Sequence, residues 1–141
     1  MSPDQVRLVQ QSFVQVAPLA DTAATLFYDR LFDTAPAVRP LFHGDMAEQR
    51  RKLMATLAVV VNGLGNIETV LPAASALAKR HVGYGVKPEH YDSVGAALLW
   101  TLERGLGESW TSELAAAWLA AYATLSGFMV GEAYGPTAAA E

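Results

Sequence analysis

Apolar residues recur at three- and four-residue spacing along almost the whole chain, in stretches cut short by proline and glycine. That pattern confines the chain to a set of amphipathic helices, each burying its apolar stripe against a neighbour. No alternating run is long enough for a useful strand, and there is no internal repeat. At 141 residues the chain can bury one substantial core. The expectation is an all-α domain of about seven helical segments over residues 1–134, with a flexible tail over 135–141.

The helix limits follow from punctuation. Ser2-Pro3-Asp4-Gln5 is a capping box with proline at the first helical position, opening a stripe of Val6, Val9, Phe13 and Val16 that must stop before Pro18. A second helix is expected over 21–32, with Ala24, Phe27, Tyr28 and Leu31 on one face. A short segment follows from Thr34, limited by Pro40, with Leu41-Phe42 at its end and a corner at His43-Gly44. Asp45-Met46-Ala47-Glu48 reads as another capping box, opening a helix to about Gly63 whose inward face carries Gln49, Leu53, Leu57 and Val60. The next helix, over about 68–81, places Leu71, Ala74, Leu77 and His81 in register before Gly83 and Gly85 end it. Pro88 opens another with Tyr91, Val94, Leu98, Leu102 and Leu106 inward, ended by Gly107. The last, over about 112–132, aligns Leu114, Trp118, Tyr122, Leu125 and Met129. Trp100 reads as core, Trp110 as a helix-start residue and His90 as a surface residue.

Composition removes several function classes. Net charge is −4, and the densest basic cluster is only Arg50-Arg51-Lys52, so a nucleic-acid-binding face is not expected. The apolar run Leu53 to Val61 is only nine residues and carries Thr56, so no membrane span is expected either. Met1-Ser2-Pro3-Asp4 has neither a basic region nor an apolar one of secretory type, which gives a cytoplasmic expectation. No cysteine is present, so disulfides and thiolate chemistry are excluded. Phosphate loops, HExxH and nucleophile elbows are absent, and the carboxylates are spread along exposed faces rather than paired.

What remains is an ordered series of singular residues: Tyr28, Phe42, Gln49, Leu53, His81, Val86 and Tyr91. Only His81, of three histidines, lies on an apolar helical stripe. Alone it is compatible with a hydrogen-bonded core histidine as well as with a ligand.

The segments Leu26-Phe27-Tyr28-Asp29-Arg30-Leu31-Phe32, Val38-Arg39-Pro40-Leu41-Phe42, Gln49-Arg50-Arg51-Lys52-Leu53, Lys79-Arg80-His81, Val86-Lys87-Pro88-Glu89-His90-Tyr91 and Ala117-Trp118-Leu119-Ala120-Ala121-Tyr122 together resemble a globin. The pattern is most similar to bacterial single-domain globins related to the globin part of flavohaemoglobins, the Hell's Gate type among them. The resemblance runs from Ser2 to about Glu132. It implies a globin fold around non-covalent haem b, the lack of cysteine ruling out thioether attachment.

The resemblance also implies residue roles. His81 matches the proximal iron ligand, its second ring nitrogen held by the Leu77 carbonyl. Phe42 matches the corner phenylalanine against the macrocycle, with Val86 and Tyr91 on the proximal side. Gln49, 32 positions before His81, and Tyr28 match the distal pair that donates hydrogen bonds to a bound gas. Leu53 would be the apolar lid, and Lys52 a partner for a haem propionate or a solvated cation. Structural readings stand beside these: Phe42 as core aromatic, Gln49 as exposed helix-start residue, Tyr28 as a residue reaching the surface.

The implied function is reversible binding of O2, NO and CO. The alternative is nitric oxide dioxygenation, with Tyr28 and Gln49 as its catalytic residues. The chain ends before any flavin or nicotinamide domain could begin, so a separate reductase would be required. In flavohaemoglobins a tyrosine and a late-helix glutamate brace the proximal histidine. Tyr91 aligns with the first, but Glu132 falls one residue early, which turns a helical side chain by about 100°. His43, at its corner, is a poor second axial ligand.

Overall fold

The computed structural model describes the whole chain apart from His43, Tyr84 and Glu141, with residues 134–140 described by backbone alone. Among the described residues there is no strand. Six α-helices, α1 (Pro3–Val16), α2 (Ala20–Thr34), α3 (Met46–Asn62), α4 (Leu71–Gly83), α5 (Pro88–Leu106) and α6 (Ser112–Ala140), are joined by 3-10 turns at Ala17–Leu19, Pro36–Leu41, Leu64–Thr69 and Gly107–Ser109. The expected tail over 135–141 falls on residues whose side chains, with Glu141 altogether, lie outside the described part, and His43 lies outside it too.

The caps explain most boundaries. At Ser2 the box is complete: the Gln5 N–H donates to Ser2 Oγ and the Ser2 N–H to Gln5 Oε1, each at 3.1 Å. At Asp45 only half the expected box forms. Asp45 Oδ1 accepts from the Ala47 N–H at 2.9 Å, while Glu48 turns along the helix toward Lys52. α4 begins at Leu71 rather than near Glu68, because Asn66 leaves helical geometry and residues 64–69 are spent on 3-10 turns. Proline at its second position is tolerated, since the first-turn amides have no intrahelical partner.

Two clusters make the core. The larger gathers Val9, Phe13, Phe27, Leu31, Leu98 and Trp118 among others, and draws on every helix except α4. The smaller is Ala74, Ala78, Tyr91 and Met129, from α4, the start of α5 and the end of α6. α2 packs on α5, α4 on α6, and α1 on α6. The α1–α6 crossing holds a buried polar link: Trp118 Nε1 donates to Ser12 Oγ at 2.8 Å, and that hydroxyl donates to the Val9 carbonyl at 2.8 Å. Pairing buried polar groups in this way removes their desolvation cost.

One sequence expectation changes here. Trp100 is half-buried rather than core, clamped between the guanidinium groups of Arg30 at 4.8 Å and Arg104 at 4.5 Å from its ring centroid. Residues Ser112–Ala133 of α6 are long and apolar enough to cross a membrane by length and composition, although every uninterrupted apolar run is short. Serines, threonines and glycines break the runs without adding charge. Here α6 serves as a core helix, burying Leu114, Ala117, Trp118, Ala121 and Met129.

Candidate functional site

The inward faces of α3 and α4 are buried less completely than those of the other helices. Gln49, Leu53 and Leu57 on α3, and Leu77 and His81 on α4, are half-buried, although their spacing puts them on apolar stripes. Phe42 and Val86, in the segments leading out of and into neighbouring helices, are half-buried as well. The two segments meet: a Cβ on Gly85 would lie 3.4 Å from Leu41 Cδ2. An incompletely covered apolar wall of this kind is what a protein presents to a bound apolar group.

One wall carries hydrogen-bonding groups. Tyr28, on α2, is 5% exposed, which excludes the surface reading of its side chain. Gln49 Nε2 donates to its phenol oxygen at 3.1 Å, which likewise removes Gln49 from the exposed helix-start reading. Because the phenol accepts here, its own proton is directed elsewhere, and the Gln49 amide keeps a second N–H. Burial pushes the Tyr28 phenol above its ordinary range, with the Gln49 bond opposing in part, so it stays a proton donor. The ring is fixed by aromatic neighbours: Phe27 edge-on at 4.9 Å between centroids, Phe42 edge-on at 5.5 Å and Phe32 at 5.8 Å. Behind Leu53 and Leu57 lies a cavity of about 20 Å³, walled also by Phe27, Leu98 and Leu102.

The other wall carries the imidazole. Burial holds the His81 pKa below its usual value; the Leu77 backbone opposes this and the Arg80 charge adds to it. The ring is therefore neutral at physiological pH, the form in which a nitrogen lone pair can bind a metal. Tyr91 is buried with its ring nearly parallel to the imidazole, the centroids 6.3 Å apart and the planes 25° apart. The end of α4 is closed by a Schellman pattern with Gly85 at φ +89°: the Val86 N–H donates to the His81 carbonyl and the Gly85 N–H to the Val82 carbonyl, each at 3.0 Å. The corner holding Val86 is thus tied to the residue that carries the imidazole.

Other expected site residues stand as follows. Lys52 is exposed, its Nζ 3.7 Å from Glu48 Oε1. Glu132 is exposed on α6. Sequence reasoning missed two residues. His90 caps α5, its Nδ1 accepting the Lys87 N–H at 3.0 Å, a role signalled by its place two residues after Pro88. Tyr122, expected only as core, donates through its phenol to the Tyr91 carbonyl at 2.5 Å.

Among the described residues no group of three or more His, Asp or Glu could hold a metal ion. One half-buried neutral imidazole cannot retain a bare ion. It suits an iron whose other ligands arrive with it, as in a macrocycle. The half-buried apolar walls and this single nitrogen donor fit that group.

Comparison with known proteins gives the same fold. The family model described as Globin matches residues 25–129. Flavohemoproteins of Rhodopirellula baltica and Bordetella parapertussis are 31% and 32% identical over 134 residues, 93% of this chain and 33% of theirs. The flavohemoprotein of Bacillus subtilis is 25% identical over 129 residues. The chain therefore spans about a third of the length of these relatives. A bacterial globin from Campylobacter jejuni, 23% identical, superposes with a TM-score of 0.82 over 99% of this chain and 100% of its own.

Proposed function

The chain belongs to the globin family, and from that premise we propose that it holds haem b non-covalently between α3 and α4 and binds O2, NO and CO reversibly. The observation that carries this reading is the Gln49–Tyr28 hydrogen bond on one wall, with a neutral His81 on the helix of the other.

Haem, when bound, would supply an iron that takes up a diatomic gas. The rest is done by the protein. His81 would give the nitrogen that holds the iron, its tautomer set by the Leu77 carbonyl. Phe42, Leu53 and Val86 would exclude water from the macrocycle, and Lys52 would face a propionate with its Glu48 pair opened. Tyr28 and Gln49 each keep a proton to donate to the partly negative outer atom of a gas. A hydrogen bond to a charged acceptor contributes about 1.5–3 kcal/mol, hence roughly ten- to a hundredfold slower release.

Visible spectra of ferric, ferrous and oxygen-equilibrated protein test the reading. The wild-type chain should bind one haem with a Soret band, and a His81→Ala chain should lose both stoichiometry and the ferrous spectrum. Retention of both by the variant would refute the assignment.

A second reading is nitric oxide dioxygenation, favoured by similarity to flavohemoproteins over nine-tenths of the chain. Nitric oxide and dioxygen would combine to nitrate, and one electron per turnover would return from a reductase. Nitrate should accumulate over many turnovers when reductase is present. A single turnover under every reducing condition would remove this reading and leave the first intact.

A further inference from the structure

Phe42 leaves the 3-10 segment Pro36–Leu41 with extended backbone angles, so no helical turn of its own holds its ring. An exposed residue, Arg39, ties it down. The Arg39 carbonyl accepts the Phe42 N–H at 3.1 Å, and Arg39 Nη1 donates to the Phe42 carbonyl at 3.4 Å. The same guanidinium lies over the ring of Phe32, on α2, 4.9 Å from its centroid. A planar guanidinium can stack on a ring and still hydrogen-bond along its edge, and here it does both. Phe32 in turn meets Phe42 edge-on at 5.3 Å, and the two rings pack on Tyr28 at 5.8 and 5.5 Å. Three rings therefore touch pairwise, and Arg39 closes the set from the solvent side.

We infer that Arg39 is a positioning residue for the Tyr28–Gln49 donor pair, acting through Phe32 and Phe42 to fix where the phenol sits. This rests on the reading of Tyr28 and Gln49 as donors to a bound gas. A hydrogen bond weakens steeply as its angle falls, so a donor is useful only while the ring that carries it is held. Phe27 and Phe32 share α2 with Tyr28 and move with it. Phe42 comes from outside that helix, and Arg39 is the side chain that links it to α2, by its carbonyl on one side and the Phe32 ring on the other. Among the described residues Arg39 makes no ion pair, so no carboxylate draws the guanidinium off the ring. A change at Arg39 therefore reaches the phenol through one ring, without contact between Arg39 and the gas.

The test uses the haem-loaded full chain with Arg39→Ala, alone and in a Tyr28→Phe background. Arg7→Ala is the control, removing an exposed arginine of α1 that pairs with Asp4. The readouts are the O2 dissociation rate and the C–O stretch of the CO form by infrared. The Gln49 side-chain amide shifts of the apoprotein, by NMR, give a measure independent of haem. Arg39→Ala should speed O2 release roughly two- to fivefold, the worth of one exposed cation–ring contact. It should also move the C–O stretch and the amide shifts, while Arg7→Ala moves none of the three. In the Tyr28→Phe background Arg39→Ala should add little, because its path runs through the phenol. Readouts unmoved by Arg39→Ala overturn the positioning role, as does a full effect without the phenol or an equal effect of Arg7→Ala. A wild-type chain that takes up no haem would show instead that the gas-binding reading has failed. The amide shifts of the apoprotein then decide the positioning role by themselves.

Discussion

Gln49 donates across 3.1 Å to the phenol oxygen of Tyr28, joining α3 to α2 at a polar point of a largely apolar wall. The direction of that bond matters more than its length. A phenol that accepts from the amide has its proton to give, and an amide that gives one N–H has another left. The pair is pre-arranged as two donors.

Removing either donor should speed gas release. We expect Tyr28→Phe and Gln49→Leu each to raise the O2 dissociation rate of the ferrous protein roughly ten- to a hundredfold, measured by stopped-flow displacement with CO. The double variant should fall short of the product of the two, because each single change also removes the bond that orients the survivor. Full multiplicativity would show that the two groups act independently.

Gly85→Ala should lower stability by about 1–2 kcal/mol in urea unfolding, the usual cost of a left-handed conformation for a residue with a Cβ. Steric crowding contributes little, since the new Cβ would sit at an ordinary 3.4 Å from Leu41 Cδ2. The same change should quicken haem loss to an acceptor apoprotein, because the turn it strains ties Val86 to the His81 carbonyl.

Ser12→Ala strands the indole N–H of Trp118 in the core. The expected cost is about 1–3 kcal/mol, that of leaving a buried donor unsatisfied. Chemical unfolding followed by Trp fluorescence measures it, and a variant as stable as wild type would mean that the link is replaceable.

Alkaline pH should destabilise the apoprotein through two phenols, buried Tyr28 and half-buried Tyr122. Tyr28 and Tyr122 bind their protons more tightly folded than unfolded, chiefly because burial disfavours phenolate. Their contribution is therefore complete below pH of about 10, where unfolded tyrosine titrates, and is lost as pH rises beyond that toward the folded values. Urea midpoints should hold steady to about pH 10 and then fall. Tyr28→Phe should flatten part of that decline.

Much of this was legible from spacing. The stripes of α1, α2 and α5 are buried nearly as read, and the ordered segments around Tyr28, Phe42, Gln49, His81, Tyr91 and Tyr122 carry the globin resemblance. The missed features are those where tertiary contact overrode local pattern. Trp100 looks like core in a helical stripe, yet two arginines from α2 and α5 hold it at the surface. Tyr122 occupies a core register position, and nothing local reveals that its hydroxyl reaches a carbonyl 31 residues away. The start of α4 was misplaced because Asn66 breaks the helix through its backbone angles, a departure that side-chain periodicity does not register.

The split of the core into a large and a small cluster has a kinetic consequence. Four buried residues hold the small cluster, against a larger body that spans the other helices. Without the group proposed to lie between them, amides of α4 should exchange with solvent by local opening, long before those of α1, α2 and α5 exchange by global unfolding. Cofactor uptake then doubles as the last folding step of α4. In a cell, the supply of that cofactor would set how long a newly made chain remains open to proteolysis.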